Sequence, residues 1–419
     1  MTTKPEDAEA APRQPMLAAW RFVTVFGTVS LLADFVYEGA RSITGPLLAS
    51  LGATGLVVGV VTGIGEAAAM GLRLVSGPLT DRTQRFWAWT IAGYTLTIVT
   101  VPVLGVAATL WVACALVIAE RIGKAVRSPA KDTLLSHAAA VTGRGRGFAV
   151  HEALDQIGAV IGPLTVAGVL AITGNDYGPA LGVLALPGAA ALALLVWLRL
   201  RVPDPARYES AAGPTPAPHS ADEVADRRAR PSPPLPAKFW AYCAFTATTM
   251  IGFATFGVLS YHMVIRGILS AAVVPLVYAA AMGADAVAAL LSGWLYDRVG
   301  AKTLAALPIL SALVPVVAFT DQVWLVVVGA LLWGAAVGIQ ESTLRAVVAD
   351  LVAPPRRATA YGLFAAGLGA ATAAGGALTG WLYDTSIPAL VVTVAVIQIA
   401  AIGLAITVIA RPRPGPARS

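Results

Sequence analysis

The sequence predicts an all-α membrane protein with twelve transmembrane helices in two pseudo-symmetric six-helix bundles and both termini cytoplasmic. Three observations carry that expectation: an apolar composition, long apolar runs separated by short basic loops, and a motif that recurs at a nearly constant offset. Of 419 residues, 57% are hydrophobic and 12% charged, against about 25% charged in a soluble globular chain. The mean hydropathy is +0.74. A chain this apolar cannot wet its own surface, and a bilayer is the solvent that fits. Each crossing takes roughly 20 apolar residues, so twelve use about 240 and leave ordinary loops.

The same composition excludes several classes. Cys114 and Cys243 both fall inside apolar runs, which is no disulfide framework. His137, His151, His219 and His262 are scattered, so no metal site or cofactor is expected. The pI of about 9.5 reflects Lys and Arg in short loops, where they set topology, and points to no nucleic acid. The start, Met-Thr-Thr-Lys-Pro-Glu-Asp, lacks the basic and small-residue features of a cleaved signal peptide.

Hydropathy and breaker residues place the spans at 18–44, 54–76, 86–106, 108–128, 147–172, 179–200, 238–262, 270–295, 301–320, 323–349, 358–384 and 387–410. Arg82, Arg85, Arg127, Lys131, Arg144, Arg146, Arg298, Lys302, Arg356 and Arg357 then share one side of the membrane. Basic loops are cytoplasmic. Residues 201–237 hold nine prolines with five basic and five acidic residues, too polar to form a core and expected to be a flexible linker. The chain divides into a tail at 1–17, a bundle at 18–200, that linker, a second bundle at 238–410 and a tail at 411–419.

The halves repeat one another. Gly77-Pro-Leu-Thr-Asp81-Arg82 ends span two and Gly293-Trp-Leu-Tyr-Asp297-Arg298 ends span eight, an offset of 216. Arg127 with Asp132 and Arg345 with Asp350 give a second pair, offset by 218. A finer echo, Gly162-Pro-Leu-Thr in span five and Gly380-Trp-Leu-Tyr-Asp384 in span eleven, suits three-span units nested in each half.

On these residues the chain resembles the major facilitator superfamily over nearly its whole length. The family's loop G-x-L-x-D-R-x-G-R-[RK] is matched by Gly77, Leu79, Asp81, Arg82 and Arg85, with Gln84 in place of the second glycine. The second copy keeps Gly293, Leu295, Asp297, Arg298, Gly300 and Lys302. The resemblance implies an alternating-access secondary transporter whose loops gate the cytoplasmic side. Gly77 and Gly293 are expected to permit close helix approach, and Asp81 or Asp297 to face a helix N-terminus. Gly158-Ala-Val-Ile-Gly162-Pro163 is similar to a glycine–proline element of the family's proton-coupled exporters, and is also a packing seam in its own right.

Ionisable groups inside spans are costly and mark transport pathways. Span one carries Asp34, Tyr37, Glu38 and Arg41 on one face. Glu66, then Glu120 with Arg121, then Asp155 follow in spans two, four and five, and Glu341 with Arg345 in span ten. These ten residues are the expected coupling and substrate cavity. Asp34 is the expected proton carrier. Arg121 should pair with Asp34 or Asp155, since Glu120, adjacent in sequence, diverges from it. Arg127, Lys131, Asp132, Arg345 and Asp350 are expected to form cytoplasmic networks. Glu38–Arg41 reads equally as a structural ion pair, and His151 as a polar cap or a relay. No phosphate-binding loop occurs, so the expected driving force is an ion gradient rather than ATP. A membrane-embedded enzyme would need a nucleophile–base or metal constellation, for which the Glu/His/Asp group of span five is the one candidate, and no enzymatic activity is expected. The expected function is proton-coupled export of a small organic molecule across the plasma membrane, with no obligate protein partner. Uptake or exchange of an anionic metabolite is the alternative within transport, and a receptor or scaffold the alternative outside it.

Overall fold

The computed structural model describes residues 17–211, 234–353 and 356–409. The tail residues 1–16 and 410–419 and the linker residues 212–233 lie outside the described residues. Among those described there are helices and no strand. The helices are α1 (Ala19–Ser50), α2 (Gly55–Gly71), α3 (Arg73–Thr83), α4 (Phe86–Gly105), α5 (Leu110–Thr142), α6 (Arg144–Ile172), α7 (Tyr177–Gly182), α8 (Ala185–Arg201) and α9 (Ala206–Ala211). After the linker come α10 (Ala237–Ile251), α11 (Phe256–Ile265), α12 (Val274–Val299), a 3-10 turn at Gly300–Ala305, α13 (Ala306–Ala318), α14 (Val323–Leu351), α15 (Arg357–Thr385) and α16 (Ile387–Ile409).

Among the described residues, ten helical stretches are long and apolar enough to cross a bilayer, where the sequence leads one to expect twelve. The difference has two physical sources. α5 carries Glu120, Arg121, Lys124, Arg127, Lys131 and Asp132 along its length and is too charged to qualify on hydropathy. α12 and α13 run on as one helical stretch, Val274–Ala318. Large apolar side chains such as Ile172, Leu290 and Ile399, at 84, 77 and 69% exposure, point outward, a surface suited to lipid.

Inside, small residues set the helix spacing, because packing rather than hydrophobicity joins helices in lipid. A Cβ on Gly158 or Gly162 of α6 would strike the carbonyl oxygens of Leu31 and Phe35 on α1. Pro163 lies within the same helix. The gating-loop glycines behave differently. A Cβ on Gly77 or Gly293 would meet nothing within 4 Å, so the close approach expected there is absent. The repeat is instead visible in the backbone. Gln84 ends α3 at φ +53 and Gly300 ends α12 at φ +65. Both occupy the position of the motif's second glycine, and Gln84 takes up the left-handed conformation that glycine adopts more easily.

Beyond α8 the chain turns into α9, and Tyr208 docks on the end of α1. Its hydroxyl donates to the Leu17 carbonyl at 2.7 Å, and its ring lies 5.6 Å from that of Phe22. Burial pushes the phenol up to about 12, so it stays a donor. The first residues of the expected linker therefore form a docked helix.

Candidate functional site

The charged face of α1 organises the interior. At its centre the Arg41 guanidinium lies 3.5 Å from Glu38, three residues before it, and donates to Glu66 of α2 at 2.8 Å. The same Glu66 oxygen lies 3.2 Å from Arg121 of α5. Arg121 also reaches Glu120 at 3.3 Å. Glu38 accepts a hydrogen bond from Tyr278 of α12, so the network crosses from residues before the linker to residues after it. Tyr37 supplies a π face to two cations, Arg121 at 4.5 Å and Lys124 at 4.0 Å.

A second group lies along α1 toward its N-terminal end. Asp34 faces Arg127 of α5 at 3.6 Å, and Arg127 covers the Tyr94 ring at 4.4 Å. Lys131 lies 3.8 Å from Asp155 of α6, and His151, one turn earlier, 3.5 Å from the same carboxylate. The His151 Nε2 pairs with the Ser30 hydroxyl at 2.8 Å, and Ser30 with Tyr94 at 3.2 Å. His151 is buried, within a polar chain rather than at a helix end.

Three expectations change. Arg121 pairs with Glu66 and Glu120, not with Asp34 or Asp155. Adjacent side chains diverge at Cβ, but a long guanidinium reaches back round the helix through its Nε. Arg127 and Lys131 belong to the interior network, because they follow Glu120 and Lys124 by seven residues each, which keeps them on one face of α5. Asp132, off that face, is exposed. Asp350 accepts from Tyr296 at 2.6 Å, while the Arg345 side chain lies outside the described residues.

Residues after the linker contribute differently. Glu341 of α14 is exposed and makes no hydrogen bond or ion pair with the described residues, and Asp285 of α12 is buried with its Oδ1 unpartnered. Trp333 lies 6.0 Å from Arg41 and packs on Phe256 and Tyr278. Tyr94, Ser30 and Lys124 were not singled out as cavity residues from sequence. Lys124 was legible, standing with Glu120, Arg127 and Lys131 in a helical stripe, but Ser30 and Tyr94 carry no charge to mark them.

His151, Glu152 and Asp155 bring ligand-type atoms within 4.8 Å of one another. Lys131 beside Asp155 and Ser30 on His151 already occupy two of the three, and an ammonium 3.8 Å away opposes a divalent ion.

The loop residues Asp81, Arg82, Arg85, Asp297 and Arg298 lie at one end of the molecule and are exposed. Arg298 covers the Trp294 ring at 3.6 Å. At the opposite end the Asp384 carboxylate of α15 accepts from the Gly55 and Leu56 amides, the first two of α2, both at 2.8 Å.

A lipid-facing helical shell around a buried, charge-paired interior defines a multi-pass membrane transporter. The chain belongs to the Major Facilitator Superfamily, which matches residues 27–280 and 261–419. It is 73% identical over 390 residues to an uncharacterized protein of Mycobacterium tuberculosis, covering 93% of each chain. It is 28% identical over 140 residues to an uncharacterized MFS-type transporter of Methanocaldococcus jannaschii, covering 33% of this chain and 35% of that one. In fold it is similar to the nucleoside transporter NupG, with a TM-score of 0.67 at 14% identity over 92% of this chain and 98% of that one. It is likewise similar to a POT family transporter crystallised with 5-aminolevulinic acid, with a TM-score of 0.70 at 13% identity over 93% and 95%.

Proposed function

We propose that this transporter is a plasma-membrane exporter of a small organic molecule, driven by proton antiport through alternating access. The observation that carries the reading is the run of paired carboxylates and cations from Glu66 through Glu38 and Asp34 to Asp155. Such groups are costly within a bilayer and serve ion pathways. Asp34 is the proton carrier of this scheme. Arg127 is its counter-charge in this state, and the cycle of this scheme separates the two.

The scheme has twelve crossings: α1, α2 with α3, α4, α5, α6, α7 with α8, α10 with α11, α12, α13, α14, α15 and α16. Both termini are cytoplasmic, on the side of Arg82, Arg85, Arg298 and Lys302. The two bundles, 18–200 and 238–410, move about the site between them. The buried apolar residues support that division, since one large cluster draws only on residues 239–405. Asp81 closes the cytoplasmic side in the alternate state by facing the N-terminus of α15, which has no side-chain cap here.

Uptake or exchange of an anionic metabolite needs free guanidiniums. Arg41 and Arg121 are both held by carboxylates, which favours export over that second reading. The test loads everted vesicles with a proton gradient, follows a pH-sensitive dye and adds a chemically broad compound panel. Collapse of the gradient in wild type, absent in Asp34→Asn, is expected. Compounds that collapse it equally in both would overturn the assignment of Asp34, and accumulation of anions alone would favour uptake.

A further inference from the structure

We infer that Asp384 is a positioning residue of the transport cycle, holding shut the face of the molecule opposite the Asp81 loop. The inference rests on the alternating-access reading. Its starting point is a repeat the gating loops do not absorb: Gly293-Trp-Leu-Tyr-Asp297 ends α12, and the same five residue types, Gly380-Trp-Leu-Tyr-Asp384, end α15.

The geometry is that of a latch. An α-helix leaves its first N–H groups without intrahelical partners and carries partial positive charge there. In α2 the Thr54 hydroxyl accepts from the Val57 amide, satisfying one of these donors from within its own strand of chain. The two before it, Gly55 and Leu56, are satisfied by the two oxygens of one carboxylate more than 300 residues away. Gly55 lets that carboxylate in, since a Cβ there would crowd Asp384 Oδ1 and the Tyr383 ring. Tyr383 is itself fixed. Its hydroxyl lies 2.9 Å from His262 Nδ1, while His262 Nε2 donates to the Thr320 carbonyl at 3.1 Å. A second clamp closes the same end, where the Ala272 amide donates to Asn175 Oδ1 at 3.0 Å.

The pair of helices is asymmetric in this state. Where α15 ends, its acid caps α2. Where α3 continues α2 to the opposite end, Asp81 is exposed and its carboxylate has no partner among the described residues, and α15 begins without a side-chain cap. Asp384 and Asp81 thus sit at opposite ends of one helix pair, each placed to cap the other helix, with one engaged and one free. Releasing Asp384 lets that face part, and engaging Asp81 closes the other.

The test uses the full-length protein in right-side-out vesicles, with Cys114 and Cys243 replaced by Ala. The reporter is Ser260→Cys, at a side chain buried against Gly45 near the latched end. A membrane-impermeant maleimide is added outside. Asp384→Asn is expected to speed labelling roughly fivefold, the scale of an exposed helix-terminus interaction. Asp384→Glu should keep most of the closure, and adding Asp81→Asn to Asp384→Asn should return labelling toward the parent. Labelling within twofold of the parent in Asp384→Asn overturns the inference. So does faster labelling that Asp81→Asn does not reverse, because loosened packing alone gives that result. Solute flux in the same vesicles separates the two readings. Flux with unchanged labelling sinks the latch and spares transport; a reversible labelling change with no flux for any solute does the opposite.

Discussion

Asp34 and Arg127 face each other at 3.6 Å across α1 and α5, the carboxylate partly open and the guanidinium fully buried. Arg127 is held independently by the Tyr94 ring and by the Thr97 hydroxyl, to which it donates at 3.4 Å, so losing Asp34 leaves a cation with only those two contacts. Asp34→Asn keeps the size and polarity of the side chain and removes its titration. Gradient-driven flux should fall by at least about tenfold, while substrate exchange without a gradient continues. One tenfold step corresponds to about 1.4 kcal/mol of lost coupling. Unchanged gradient-driven flux would sink the assignment.

Glu66 is the hinge of the central network, since one of its oxygens serves both Arg41 and Arg121. Removing a single partner from a buried pair costs about 3–5 kcal/mol, because the charge left behind stays desolvated. Glu66→Gln takes the shared carboxylate from two guanidiniums, leaving Arg41 to Glu38 and Arg121 to Glu120, and should lower the thermal midpoint of detergent-solubilised protein more than any other carboxylate change. Arg41→Gln in the Glu66→Gln background removes the cation left in excess and restores the charge balance of the cluster, so it should recover part of the loss. A further drop in the double variant would show that the two act separately.

The packing glycines divide into two kinds. Gly158→Val drives a side chain into the backbone of α1 at Leu31, where overpacking costs about 1–3 kcal/mol. Gly77→Ala meets open space and should leave stability within about 0.5 kcal/mol, whatever it does to the cycle. Melting curves of the two variants decide this. Equal destabilisation would mean that the end of α3 is packed in a state populated in solution.

The fold was legible because hydropathy and a duplicated loop are local properties of the chain. The charged face of α1 was legible for the same reason, since Asp34, Glu38 and Arg41 obey helical spacing. Partner choice was not. Arg121 could be placed on its helix from sequence, but whether it met Asp34, Asp155 or Glu66 depends on helix rotation and depth, which periodicity leaves free. Arg127 and Lys131 were misplaced because a charged stretch near a span end reads as a loop, whereas α5 runs on to Thr142 as one helix. Asp384 stands in the sequence as part of an echo, but its contact with the α2 terminus joins residues hundreds of positions apart, which no local pattern encodes.

Glu341 offers the sharpest contrast with Glu66. It stands on α14, exposed and without a hydrogen bond or ion pair to the described residues. A carboxylate with nothing to hold contributes little to stability, so Glu341→Gln should shift the melting transition by less than about 0.5 kcal/mol. A ligand bearing a donor or positive charge would use it directly. Its removal should therefore raise the half-saturating concentration of such a substrate by about tenfold or more, the scale of a hydrogen bond to a charged group, with maximal flux less affected. The measurement pairs a melting curve with concentration-dependent flux. A variant that melts early, as Glu66→Gln is expected to, with half-saturation unchanged, would place Glu341 among the structural pairs and remove it from the substrate's path.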